Sequence, residues 1–279
     1  LSTRLVPDPR VVRLRIYQTN SVHKSMSALR QGSIVLVKDM DFEHVESQFH
    51  EAVFTHASTS PNQQIIASLD VARRQMQLEG YGLVANALQI SLEIRKQINS
   101  HPLISKYFKV LSNAEMIPES FRNSDLQDYN DPDVSWEKAI TAIRNDEFLI
   151  DPTRMTLSCG QAGFDGTTFK NVLAEKFNIQ LNKTSRNSIL LQSNINNTRS
   201  DIALLIRVLM EIATDLETKL TDSGEGYRKA FENKVHELVD DLPELYDISY
   251  SEDRYRDDER SDTLHGDKRR AIYDAYNDD

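Results

Sequence analysis

An α/β fold is predicted by three features of the chain. Apolar residues alternate at Val12, Leu14 and Ile16 and again at Met155, Leu157 and Cys159, the period of two that marks strands. Longer runs at 62–78, 83–98 and 202–220 repeat their apolar residues at helical spacing. Beyond Pro152 the two patterns take turns, as in a sheet covered by helices.

The elements follow in order. A strand over Val11 to Tyr17 leads into a polar turn carrying Ser21, His23 and Lys24, and the chain resumes as the apolar strand Ile34-Val-Leu-Val37. Lys38 to Phe42 is a polar connection, Phe42 to Phe54 is mixed, and His56-Ala-Ser-Thr-Ser-Pro61 has turn chemistry. A helix from Asn62 to about Leu78 places Ile65, Ile66, Leu69, Ala72 and Met76 at helical spacing. Gly80-Tyr-Gly82 is expected to break it. A second helix with Leu83, Ala87, Ile90, Ile94 and Ile98 on its stripe is stopped by His101-Pro102.

Residues 112–147 are polar and punctuated by proline, with a short helix expected from Trp136 to Arg144. Thr167 is expected to cap a helix burying Phe169, Leu173 and Phe177, and Ile179-Gln-Leu181 to return as a strand. Ser188 to Ile195 reads as a further strand. Thr198-Arg-Ser-Asp201 fits a capping pattern before an apolar helix over Ile202 to Leu220. From Asp240 the tail is rich in charge and tyrosine and ends in a helix-like Gly266 to Tyr276.

The 279 residues are enough for a real core, and 27% charged with 39% hydrophobic residues is an ordinary soluble balance. A net charge of −10 with no basic stripe argues against nucleic acid as a partner. No apolar run approaches the roughly 18 residues of a membrane span, so no membrane partner is expected. The single cysteine, Cys159, excludes an internal disulfide framework and suits a cytoplasmic location; it reads as a small buried residue. The acidic cluster at 252–262 lacks metal-ligand spacing, so no metal is expected.

A lysine on a turn, beside a histidine and within reach of small hydroxyls, is what a pyridoxal phosphate site needs. The amine attaches the cofactor, and hydroxyls with backbone N–H groups hold its phosphate. A solvated surface lysine satisfies the same spacing.

The wider text decides between them. Ser21-Val-His-Lys24, Gln31-Gly-Ser33 and His56-Ala-Ser-Thr-Ser-Pro61 resemble the ornithine/lysine/arginine decarboxylases of the fold-type-I pyridoxal phosphate superfamily. Asp151-Pro-Thr-Arg-Met-Thr156, Phe164-Asp-Gly166, Asn182-Lys-Thr-Ser-Arg-Asn187 and Gly266-Asp-Lys-Arg-Arg270 resemble it too, in the family's order.

The resemblance implies the C-terminal part of such an enzyme. Residues 1–80 would be the end of the large cofactor domain with its Schiff-base lysine, and 81–279 a smaller α/β domain with a charged tail. In the family, a long N-terminal portion with the phosphate loop, the stacking ring and the aspartate of the pyridine nitrogen precedes the lysine. The implied function is decarboxylation of arginine, lysine or ornithine with pyridoxal 5'-phosphate, a lyase reaction of amino acid metabolism and polyamine biosynthesis.

Lys24 would carry the cofactor and His23 position it or relay a proton. Ser21 would bind the phosphate. Ser58 and Thr59 would reach the phosphate of a neighbouring subunit in a homodimer or higher homo-oligomer. The family more often has threonine where Ala57 and Ser58 stand. Arg186 could offer a guanidinium to the substrate carboxylate. The alternative is a catalytically incomplete fragment that acts only as a dimerisation or interaction module. A transaminase of the same superfamily is a weaker third reading.

Overall fold

A computed structural model describes residues 13–241 apart from 59, 125, 129, 132, 147, 149 and 182. The charged tail, its expected helix at 266–276 and the motif at Gly266 lie outside the described residues.

The described residues open with a two-stranded antiparallel ribbon. β1 (Arg15–Asn20) pairs with β2 (Ile34–Asp39), Tyr17 opposite Val37 and Thr19 opposite Val35. A single helical turn, α1 (Val22–Ser25), lies between them and carries Lys24. The segment from Phe42 is not mixed but a helix, α2 (Phe42–His56). Its Phe49 ring meets Tyr17 at 5.9 Å and Phe42 at 5.4 Å, and this cross-element aromatic contact is invisible to periodicity.

α3 (Gln63–Ser100) is one helix of 38 residues. Asn62 caps it, its side chain accepting from the backbone N–H of Gln64 at 2.9 Å and Ile65 at 3.3 Å. The break expected at Gly80-Tyr-Gly82 does not occur. Each glycine costs a helix roughly 1 kcal/mol relative to alanine, too little to stop one whose two ends are held by other elements. The boundary expected between residues 80 and 81 therefore falls inside α3.

The second half of α3 packs on a three-stranded antiparallel sheet in the order β3 (Lys109–Val110), β4 (Arg154–Ser158), β5 (Ser188–Gln192). Between β3 and β4 lie α4 (Asn113–Met116) and α5 (Trp136–Asn145), the latter as expected. β4 bears out the alternation at Met155 and Leu157, both 0% exposed.

α6 (Gly166–Phe177) starts two residues early, because Asp165 and not Thr167 is its cap. The Thr168 backbone N–H donates to Asp165 Oδ1 at 2.8 Å. Ile179 to Leu181 is not a strand. Asn178 ends α6 in the left-handed region, and the segment packs on the core without a strand partner. β5 ends at Gln192, short of the expected Ile195; the Ser193 N–H still donates to the Thr153 carbonyl at 2.9 Å, while its hydroxyl donates to the Ala87 carbonyl at 2.9 Å. α7 (Arg199–Asp222) has the expected capping box, Thr198 N–H on Asp201 Oδ2 at 2.7 Å. α8 (Glu225–Val239) was not predicted by the sequence pattern.

The core sits where α3, α6 and α7 enclose this sheet. Phe108 and Phe169 stack at 5.2 Å, with Ile98, Leu157, Leu173, Ile189 and Leu209 around them. Arg95 is buried at the end of the sheet and donates to the carbonyls of Leu111 at 3.3 Å and Arg154 at 3.1 Å, tying α3 to β3 and β4. Cys159 is fully buried as expected, and burial pushes its thiol up to about 12.

Candidate active site

The Lys24 turn is built from backbone contacts. Lys24 N–H donates to the Ser21 carbonyl at 3.0 Å and Met26 N–H to the Val22 carbonyl at 2.9 Å, closing α1. Val22 is buried and anchors the turn, which leaves Ser21 and Lys24 facing outward. Ser21 is the N-cap residue, yet its hydroxyl makes no capping bond and stays available. The Lys24 side-chain amine forms no hydrogen bond or ion pair with any described residue.

His23 is fixed twice by one acceptor. Its backbone N–H reaches the Gly32 carbonyl at 3.3 Å, and its ring Nδ1 lies 2.9 Å from the same oxygen. A carbonyl only accepts, so Nδ1 carries a proton, and in the neutral ring Nε2 is the basic nitrogen.

Gly32 can hold this position because it has no side chain. A Cβ there would sit 3.0 Å from both the Leu29 carbonyl oxygen and Leu69 Cδ2. The preceding Gln31 takes a left-handed φ of 76° to bring the chain round. α3 secures the loop from outside, Leu29 N–H donating to Ser68 Oγ at 3.0 Å and Ser27 Oγ to Gln75 Oε1 at 2.6 Å. The pattern of residues singles out Ser21, His23 and Lys24 but not Gly32, which acts through its backbone oxygen; the Gln31-Gly pair was its only signal.

The hydroxyl loop after α2 is a separate feature. Ser58 is exposed, its Oγ accepts from Ser60 N–H at 3.1 Å, and it borders a surface hollow with His50 and Phe54. Thr59 lies outside the described residues. No hydrogen bond joins Ser58 to Ser21, His23 or Lys24 among the described residues.

Arg186 stands elsewhere. Its Nη2 donates to the carbonyls of Glu237 at 2.5 Å and Asp241 at 2.8 Å, closing the C-terminal end of α8. Asn187 assists through Leu238 O at 3.1 Å. Two of the family-like motifs meet at this joint. A Cβ on Gly166 would fall 2.2 Å from the Ser185 oxygen and 2.4 Å from that of Ser188, so Phe164-Asp-Gly166 and the segment ending at Asn187 need each other.

A polar clamp holds β1 to α2. Arg13 pairs with the Asp41 carboxylate, Arg15 reaches it at 3.0 Å, and Tyr17 OH donates to Asp39 at 2.6 Å. The bonds from Arg13 and then Arg15 hold the Asp41 carboxyl down at about 2.

The residues present suit the attachment end of a pyridoxal phosphate: a reachable amine on Lys24, a histidine with a fixed ring beside it and an uncommitted hydroxyl on Ser21. Among the described residues none forms a metal-ligand cluster, and no helix is long and apolar enough to cross a membrane.

The family model described as "Orn/Lys/Arg decarboxylase, major domain" covers residues 4–201, and the chain belongs to that family. It is 26% identical over 206 residues to the arginine decarboxylase of Bacillus cereus, covering 73% of this chain and 37% of that protein. It is 26% identical over 249 residues to the inducible lysine decarboxylase of Escherichia coli, covering 82% of this chain and 33% of that protein. The chain thus spans about a third of the length of these relatives. Among solved structures, the constitutive lysine decarboxylase of E. coli superposes with a TM-score of 0.53 at 20% identity, over 75% of this chain and 30% of that one. That likeness is one of fold.

Proposed function

We propose that this chain is the C-terminal part of a pyridoxal phosphate-dependent decarboxylase acting on arginine, lysine or ornithine. The observation that carries the reading is the Lys24 turn itself: an outward, unpartnered amine on a backbone-fastened turn, next to a histidine whose ring is locked by Gly32. Family membership and relatives named arginine, lysine and ornithine decarboxylases support the reaction class.

When bound, the cofactor supplies the electron sink that makes loss of carbon dioxide from an amino acid feasible. Lys24 is the residue to hold it covalently. Ser21 Oγ would donate to its phosphate, and Ser58 with Thr59 would do the same from a second subunit. His23, its Nδ1 proton committed to Gly32, presents Nε2 as the nitrogen that takes or holds a proton near Lys24. Arg186 is occupied with the end of α8, and we assign it to structure rather than to the substrate. The enzyme would act in the cytoplasm, where its buried Cys159 stays reduced.

Alone, the chain offers no described partner for a cofactor ring, so it should bind pyridoxal phosphate weakly and turn over no substrate. A second reading, an interaction module, draws on the apolar surface left open around the same turn. Borohydride reduction with pyridoxal phosphate followed by peptide mapping separates the two. The adduct is expected on Lys24 and lost in Lys24→Ala; an adduct spread over other lysines would remove the enzymatic assignment.

A further inference from the structure

The loop that follows Lys24 is fastened from one stripe of α3. Ser68, Ala72 and Gln75 succeed one another at steps of four and three residues, so they share a helix face. Ala72 is fully buried, and the two polar residues flank it. Ser68 Oγ donates to the Ile65 carbonyl at 2.7 Å, which fixes the hydroxyl and leaves its oxygen to accept. That oxygen takes the Leu29 N–H at 3.0 Å. Gln75 Oε1 takes the Ser27 hydroxyl at 2.6 Å. Among the described residues, no other side chain from outside the loop bonds to residues 21–33.

From Ser68 the bonds continue inward in series. The Leu29 carbonyl accepts the Gly32 N–H at 3.0 Å, and the Gly32 carbonyl accepts both the backbone N–H and the ring Nδ1–H of His23. Between Leu29 and Gly32 lies Gln31, held at a φ of 76°. A residue with a side chain keeps that conformation only where its surroundings impose it. Val22 is the one buried apolar residue of the turn and loop, so packing does little to impose it. The two bonds from α3 supply the constraint.

We propose that Ser68 and Gln75 are positioning residues of the active site. Through the 27–32 loop they hold the Gly32 carbonyl where it keeps a proton on Nδ1 of His23, and so keep Nε2 as the basic nitrogen near Lys24. The carbonyl selects that tautomer at 2.9 Å, and beyond about 3.5 Å the selection is lost. Released from α3, Gln31 relaxes and carries Gly32 with it. The inference rests on the proposed function for the use made of His23, whereas the tautomer itself is read without cofactor or substrate.

Ring-nitrogen NMR of the chain carrying isotope-labelled histidine reports the tautomer at a pH above the ordinary histidine range. His23→Gln identifies the signal. In the unaltered chain the proton should sit on Nδ1. Ser68→Ala should give a mixture of tautomers and speed exchange of the His23 backbone amide by about two- to tenfold, the scale of one lost hydrogen bond. Ser68→Thr keeps a hydroxyl for both bonds and should restore both readouts. Gln75→Leu should act in the same direction as Ser68→Ala, and Gln75→Glu, which keeps the acceptor, should not. Ser27→Ala removes the second bond from the exposed loop, so a folding defect in an α3 variant does not decide the matter.

A ring that keeps its Nδ1 proton in Ser68→Ala and in Ser68→Ala combined with Ser27→Ala overturns the inference. So does a proton on Nε2 in the unaltered chain, or a loss in Ser68→Thr equal to that in Ser68→Ala. The two failures are distinct. A borohydride adduct mapped away from Lys24 overturns the proposed function and with it the catalytic sense of the positioning, whereas an unmoved tautomer overturns this inference alone.

Discussion

Residues 13–84 and residues 87–239 are held together by different physics. The second region buries a continuous cluster from Ile90 to Leu216, with Phe108, Phe169, Met155 and Leu209 out of contact with water. The first buries only Val22 and Ala72 among its apolar residues, while thirteen of the seventeen large hydrophobics exposed among the described residues belong to it. Its order comes from hydrogen bonds and ion pairs: the Gly32 carbonyl on His23, Ser68 and Gln75 on the loop, Arg13 and Arg15 on Asp41. The region with the hydrophobic core is the scaffold, and the region with the lysine turn is the one that leaves apolar surface exposed.

The sharpest way to break this contrast is to attack the scaffold. Gly166→Ala should cost at least about 3 kcal/mol in chemical denaturation, because its Cβ overlaps two backbone oxygens that cannot both retreat without separating α6 from β5. Phe169→Ala should cost about 3–5 kcal/mol for the lost ring and the cavity left against Phe108. Leu36→Ala, at a residue 52% exposed, should change stability by less than about 0.5 kcal/mol. Equal losses at Phe169 and Leu36 would abolish the distinction between the regions.

Acid should separate the two regions in a second way. The Asp41 carboxyl is held at about 2, below its ordinary 3.8, so its bonds to Arg13 and Arg15 stabilise the fold above the ordinary value. That contribution fades as pH falls through about 2. Hydrogen exchange should accelerate in β1 and at the start of α2 between about pH 4 and pH 2, while amides of β4 stay protected. Uniform loss of protection across both regions would show that the clamp is not what orders the first.

Cofactor contacts should produce smaller effects on stability and larger ones on binding. Ser58→Ala with Thr59→Ala should weaken cofactor affinity in the complete enzyme by about 1–3 kcal/mol, the scale of hydrogen bonds to a charged group. The smallest expected effect is that of Lys24→Ala on folding. The side chain is exposed and unpartnered, so the denaturation midpoint should not move even though the borohydride adduct vanishes. A shift in the midpoint would assign Lys24 a structural part.

What the sequence determined by itself is local. Thr198 and Asp201 cap α7 because the residues that bond lie three apart on one chain, and β4 follows from alternation between Met155 and Leu157. The lysine turn was legible for the same reason, since Ser21, His23 and Lys24 are neighbours between two strands. Tertiary structure decided what depended on distant partners. α3 runs through Gly80 and Gly82 because its ends pack on different elements, α2 is helical with Phe49 against Tyr17, and Ile179 to Leu181 finds no strand to join. Arg186 caps α8 and Gly32 fixes His23 through backbone atoms, and a backbone oxygen leaves no mark in a residue pattern. Propensity and capping act within a few residues, whereas burial and hydrogen-bond partners across the chain exist only once it has closed on itself.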